Sequence, residues 1–204
     1  MGKGGSVVAE VPIAPVGFED AELVEPEIRR VRMSLAEYES LPEKPKHEWV
    51  DGWALIMSPA MGRHSALAAE FAYALKRDLT DVKVLSEPGL SNGRTRRVPD
   101  VMVVPQASFM PDSPYQTSVP LIVVEVLSDG TWRNDLIAKA DEYGAFGVPQ
   151  YWIADPGERW VQVRENVGGA WRPLLTLDET NPEADVVVPD HGTVHLDWND
   201  LFGD

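Results

Sequence analysis

An aspartate, a glutamate and a lysine are the residues of this chain best placed to do chemistry. Asp100 heads the apolar run VPDVMVV (98–104), Glu125 lies inside LIVVEVL (121–127), and Lys139 sits in RNDLIAKADEYGAFG (133–147). An ionised carboxylate in a low-dielectric site is costly unless something pairs with it. Two such acids on neighbouring strands therefore call for a cation between them, and a lysine close by calls for an anionic substrate. Mg²⁺ suits the pair, because it takes oxygen ligands and keeps several waters while borrowing one or two carboxylates. Such an ion activates a bound water and polarises a phosphoryl oxygen, and a lysine beside the scissile phosphate stabilises developing charge. The chemistry indicated is metal-assisted phosphodiester hydrolysis. Each residue also has a plainer reading. Asp100 follows Pro99 and could cap a turn, and Glu125 could pair with a buried arginine. Lys139 shares a helix face with Asp135 and could form an i,i+4 surface ion pair.

The elements that must position these side chains follow from the pattern. Ser34 and Glu37 form a capping box that opens a short helix. HEWVDGWALIMS (47–58) reads as a hairpin around Asp51-Gly52. Leu67, Phe71, Ala74 and Leu75 recur at helical spacing between Arg63 and Asp78. VKVLSE (82–87) reads as a strand, and PGLSNGRTRR (88–97) as a loop leading into the Asp100 strand. A Pro- and Ser-rich loop (105–120) precedes LIVVEVL, whose near-continuous hydrophobicity marks a central strand covered on both faces. A helix near 133–145 turns Leu136, Ile137, Ala140 and Tyr143 toward the sheet, and YWIAD (151–155) returns as a strand. A second hairpin turns at 166–169, and short strands near 186–188 and 193–196 precede the closing segment WNDLF. The expected class is α/β (α+β): a mixed central sheet flanked by helices with additional hairpins. Residues 1–32, rich in Pro, Gly and acids, read as an extended or partly disordered arm, and 33–204 as one domain.

The 204 residues are 44% hydrophobic and 25% charged, with seven Trp, enough for one well-buried core. The lack of Cys excludes disulfides, zinc-thiolate sites and cysteine nucleophiles, and fits a reducing cytoplasm. No run of about 18 apolar residues is present to span a membrane. The net charge of −15 opposes general nucleic-acid affinity, which rests on phosphate neutralisation. A DNA-binding surface must then be local. The candidates are Arg94, Arg96 and Arg97, and the cluster Arg29, Arg30 and Arg32, with a solvated charged face as the plainer reading of each.

The ordered set PD at 99–100, E-V-L-S at 125–128, D-x-x-x-K at 135–139, Tyr143 and GVPQYWIADP at 147–156 resembles restriction endonucleases of the Uma type, within the PD-(D/E)XK nuclease superfamily. EWVDG at 48–52, Ser58-Pro59, His64 and the ending VHLDWNDLF (194–202) are similar to that family as well, so the resemblance spans roughly residues 33–202. It implies a restriction-endonuclease-like core, with Mg²⁺ (or Mn²⁺ in its place) held by Asp100, Glu125 and a strand carbonyl, and DNA as substrate. The superfamily's usual lysine lies two residues after the acid, where this chain has Leu127; Lys139 matches the displaced lysine of Uma-like sequences. Glu48 matches an acid that completes the metal site through water, and His64 a residue that touches phosphate or metal-bound water. Plainer readings are an outward hairpin acid for Glu48 and a structural hydrogen bond for His64. Trp53 and Asp129 stand where the family often has an acid and a proline. Asp129 would either repel DNA or add a metal ligand. Homodimerisation through the 159–177 hairpin is a further expectation by analogy.

Two rival readings remain in view. GLSNG (89–93) matches the G-x-S-x-G nucleophile elbow, but a strand signal follows where that motif needs a helix. The other is a catalytically silent nuclease fold that serves as a protein-binding or regulatory module, since fold alone does not fix function.

Overall fold

The computed structural model describes residues 22–25, 28–128 and 132–203. In chain order, β1 (Glu22–Glu25) and β2 (Ile28–Arg32) precede the short helix α1 (Leu35–Tyr38). The strands β3 (His47–Val50) and β4 (Trp53–Met57) lead into α2 (Gly62–Asp78). Next come β5 (Val82–Ser86), β6 (Gly89–Ser91), β7 (Thr95–Arg97), β8 (Val101–Pro105), β9 (Tyr115–Gln116) and β10 (Ile122–Val126). Helix α3 (Trp132–Phe146) crosses over to β11 (Gln150–Asp155). The strands β12 (Trp160–Val167), β13 (Ala170–Leu177), β14 (Glu183–Val188) and β15 (Gly192–Asp197) follow, and α4 (Trp198–Phe202) closes the chain.

The central sheet runs β13-β12-β11-β10-β8-β5, and it is mixed because β10 and β11 are parallel while the other pairs are antiparallel. As its apolar sequence implies, β10 is interior to this sheet and every one of its residues is buried. Alternation along the strands separates two faces. Val101, Val103, Ile122, Val124 and Trp152 pack with Leu67, Phe71 and Leu75 of α2. Met102, Val104, Val123, Tyr151 and Ile153 pack with Ala140 and Tyr143 of α3. Burial of each large apolar side chain contributes about 1.5–3 kcal/mol, so the two layers fix the helices against the sheet.

A second, seven-stranded sheet runs β1-β2-β4-β3-β7-β6-β9, and β14 and β15 form a separate pair. The second sheet departs from expectation in two places. Residues 22–25 and 28–32, read as part of an extended arm, are strands, with β2 paired along β4 from Ile28↔Met57 to Arg32↔Trp53. Segments 88–97 and 105–120, read as loops, supply β6, β7 and β9, which are too short to carry a period-2 signal. The Asp51-Gly52 turn is as expected: both residues have positive φ (48° and 86°), the requirement of a two-residue hairpin loop. Among the described residues no helix is long and apolar enough to cross a membrane.

Candidate active site

Pro99 has no N–H to give a ladder, and β8 begins only after Asp100. Its register with β10, Val101↔Val124 and Met102↔Val123, points one step further to Asp100 and Glu125 side by side. There the side chain replaces the ladder: Asp100 Oδ2 accepts the Val126 backbone N–H at 2.9 Å. Glu125 lies on the same face as Val123 and Leu127, beneath α3. Lys139 and Tyr143, one helical turn apart, both reach it. The Tyr143 hydroxyl donates to Glu125 Oε1 at 2.7 Å, and Lys139 Nζ lies 3.3 Å from Glu125 Oε2. The same ammonium lies 3.3 Å from Glu48 Oε1. Lys139 thus points into the sheet and is 5% exposed, which excludes the reading of it as a surface lysine. Asp129 and the Asp135 side chain lie outside the described residues.

Two further side chains hold Asp100. His64, at the start of α2, places Nε2 3.1 Å from Oδ2, and Lys46, just before β3, places Nζ 2.7 Å from Oδ1. Nothing in the sequence marks Lys46. It follows Pro45 in a segment without periodicity, and only its proximity to Asp100 in space identifies it. Glu48 is 1% exposed and fully engaged. Besides Lys139 it accepts Arg97 Nη1 at 2.8 Å and the Val98 N–H at 3.0 Å. Arg97 also bridges to Glu142 of α3 at 2.5 Å. Glu48 therefore enters the site as the anchor of Lys139 and Arg97, not as the outward hairpin acid of the plainer reading.

The electrostatics differ sharply among the three acids. Burial pushes Asp100 up, but the hydrogen bond from His64 and the charge of Lys46 hold its carboxyl well below the usual range. Burial likewise raises Glu48, and Lys139 and Arg97 more than offset this, leaving it at about 2. Glu125 goes the other way. Burial raises it, Lys139 offsets only part, and the neighbouring Asp100 and Glu48 push it further, to about 7. Burial lowers His64, but the hydrogen bond to Asp100 prevails and raises its pKa.

A cleft of about 590 Å³ opens over these groups, with Asp100, Glu125 and Lys139 on its wall and Lys44, Lys46 and Arg63 around it. Among the described residues, no group of three or more His, Asp or Glu side chains converges as a ready metal cage. The donors nonetheless fit a hard cation that borrows two carboxylates and keeps its waters. Asp100 and Glu125 share one face and one cleft, and Glu125 is short of positive charge.

The expectation for DNA contacts needs correction. Arg97 is 3% exposed and locked between Glu48 and Glu142, so it is a structural ion-pair partner and not a phosphate contact. Arg96 is held by Glu39 at 2.7 Å and by Ser91 Oγ at 2.7 Å, and only Arg94 is exposed. Arg30 and Arg32 stack on Trp53 at 4.4 and 5.2 Å. Ser91, the candidate elbow nucleophile, lies on β6 with a turn and β7 after it, without the helix that motif requires.

Comparison with known proteins agrees with this architecture. A crystal structure described as a putative nuclease belonging to DUF820 from Anabaena variabilis ATCC 29413 superposes with a TM-score of 0.68 at 24% sequence identity. The match covers 83% of this chain and 97% of that one. No curated protein matches. The family model described as "Uma2: Putative restriction endonuclease" matches residues 35–193, which include Glu48, His64, Asp100, Glu125 and Lys139. The chain therefore belongs to the Uma2 family.

Proposed function

We propose that this chain is a divalent-metal-dependent endonuclease that hydrolyses phosphodiester bonds of DNA. The observation that carries the reading is the pair of carboxylates, Asp100 and Glu125, on one sheet face with the Lys139 ammonium 3.3 Å from Glu125. Asp100 and Glu125 would hold Mg²⁺, with Mn²⁺ able to replace it. When bound, such an ion supplies an activated water and Lewis-acid stabilisation of the phosphoryl oxygens.

The chain's own residues do the rest. Lys139, drawn down by Glu48 and Glu125, presents positive charge where a phosphate in the cleft gains negative charge. Glu48, fixed by Arg97 and the Val98 N–H, keeps that ammonium from swinging away. His64 orients the Asp100 carboxylate, and its raised pKa favours the imidazolium, a second positive group facing the phosphate. Tyr143 fixes Glu125 Oε1. Lys44, Lys46 and Arg63 line the cleft, with Glu87 beside the two lysines, and these cations are the local contacts through which a chain of net charge −15 would engage DNA.

The test is cleavage of plasmid and oligonucleotide DNA in Mg²⁺ or Mn²⁺. Asp100→Ala and Glu125→Ala should abolish cleavage, and EDTA should do the same. Cleavage that persists in excess EDTA or in both variants defeats the mechanism. A folded wild-type protein that neither cleaves DNA nor binds metal would instead be a silent nuclease fold.

A further inference from the structure

Lys46 occupies an unusual position relative to Asp100. Oδ2 of Asp100 is already committed to two donors, the Val126 N–H at 2.9 Å and His64 Nε2 at 3.1 Å. Its other oxygen, Oδ1, is held by Lys46 at 2.7 Å, so the lone pairs best able to meet a metal ion are those the Lys46 ammonium holds. The groups around Lys46 make it easily exchanged. Its side chain is 18% exposed, more than the 6% of Lys139, and it lines the cleft. A second acid, Glu87, already lies 3.6 Å from its Nζ; it is 46% exposed and shared with Lys44 at 3.4 Å, so Lys46 keeps an ion-pair partner when it leaves Asp100. Lysine suits such a role, since it is a point charge on a flexible four-carbon stem without the fixed fork of arginine.

We propose that Lys46 is a displaceable counter-ion. It neutralises Asp100 until a divalent cation takes its place there, and then stays on Glu87, its existing second partner, with its charge facing the substrate phosphate in the cleft. Lys46 and the metal compete for one oxygen, and Lys46 and the phosphate attract each other once that oxygen is taken. Metal binding and substrate binding are thereby coupled through a single side chain. The inference rests on Asp100 being a metal ligand, as proposed above, and adds a residue that neither the motif nor the apolar strands point to.

The competition has a sign that a purely structural role does not share. A ligand whose competent state is only partly populated binds with a correspondingly weakened apparent affinity. Removing the Lys46 charge should therefore tighten metal binding, whereas loss of a structural support would weaken it. The experiment is calorimetric titration of the full-length protein with Mn²⁺ alone, without DNA, for wild type, Lys46→Met, Lys46→Arg and Asp100→Ala. Lys46→Met should bind Mn²⁺ more tightly by about fivefold or more, the lower end of ordinary site-to-site coupling. Lys46→Arg keeps a competing cation on Asp100 and should show no gain. If Lys46→Met does not fold, Lys46→Gln removes the charge, keeps a hydrogen-bond donor and should shift the same way.

Equal or weaker binding by the charge-removed variant, with Mn²⁺ still lost in Asp100→Ala, overturns the inference and leaves the metal-site reading standing. Binding that persists unchanged in Asp100→Ala overturns both, as does no binding by any of the proteins. Binding that appears only when the charge is removed supports the inference.

Discussion

Lys139 Nζ lies 3.3 Å from Glu125 Oε2, and the helix that carries it follows directly on the strand that carries Glu125. The position two residues beyond Glu125 is Leu127, buried in the apolar layer under α3. The cation is therefore delivered from above the sheet, through the helix, and its placement depends on how α3 seats on the strands.

Replacing Lys139 tests its proposed role. Lys139→Ala should lower kcat for DNA cleavage by roughly 10²–10³, the usual cost of removing one group that stabilises transition-state charge. It should also lower thermal stability, because Glu48 and Glu125 lose a shared buried cation. Steady-state kinetics and a melting curve separate the two effects. An unchanged kcat removes Lys139 from the mechanism.

The seating of α3 can be probed without touching the site. A Cβ on Gly144 would stand 2.6 Å from the Gly169 carbonyl oxygen and 3.3 Å from the Trp171 indole nitrogen, so the helix meets the β12–β13 hairpin there with no room for a side chain. Gly144→Ala should destabilise the protein by about 1–3 kcal/mol, the range for overpacking. It should reduce cleavage as well, because Lys139 and Tyr143 shift with the helix. Chemical denaturation and activity of the folded variant check this; a fully active variant of wild-type stability would show that the contact yields freely.

Arg97 should behave as part of the scaffold. Arg97→Met leaves Glu48 buried without its nearest cation and should cost about 3–5 kcal/mol. The exposed Arg94 should tolerate Ala within about 0.5 kcal/mol. Urea denaturation of both variants decides the matter; equal and small effects would contradict the buried network.

Much of this was legible in the sequence, for identifiable reasons. The period-3.6 positions of α2, the Asp51-Gly52 turn and the apolar run of β10 are local signals, and each element formed where they lie. Asp100 and Glu125 were conspicuous because an acid inside an apolar strand violates the local pattern. What escaped the sequence is non-local. Lys46 acquires its meaning only from a contact across 54 positions of chain, and Arg97 only from Glu48 and Glu142 closing on it in space. A charged cluster such as Arg94, Arg96 and Arg97 looks uniform in sequence. Strand alternation then turns Arg97 inward while Arg96 is tied to Glu39 and Ser91.

The buried acids give the stability a pH dependence of opposite signs. Glu125 stands at about 7 in the folded protein against an ordinary 4.5, so between those values the folded state holds a proton the unfolded chain has released. Its contribution to stability therefore falls as pH rises through that window. Glu48, at about 2, contributes stability above 4.5 that is lost as pH falls toward 2. In EDTA, Glu125→Gln should gain stability relative to wild type on going from pH 5 to pH 8. A relative melting temperature that is the same at both values would contradict the raised pKa.

Asp100 and Glu125 are proposed to hold a divalent ion jointly, and a crystal structure of the protein soaked in Mn²⁺ would reveal whether they do. The expected result is one ion with a carboxylate oxygen from each residue at about 2.0–2.6 Å, the range for hard-cation ligation. An ion bound elsewhere, or none, with Lys46 still on Asp100 and Lys139 still on Glu125, would contradict it.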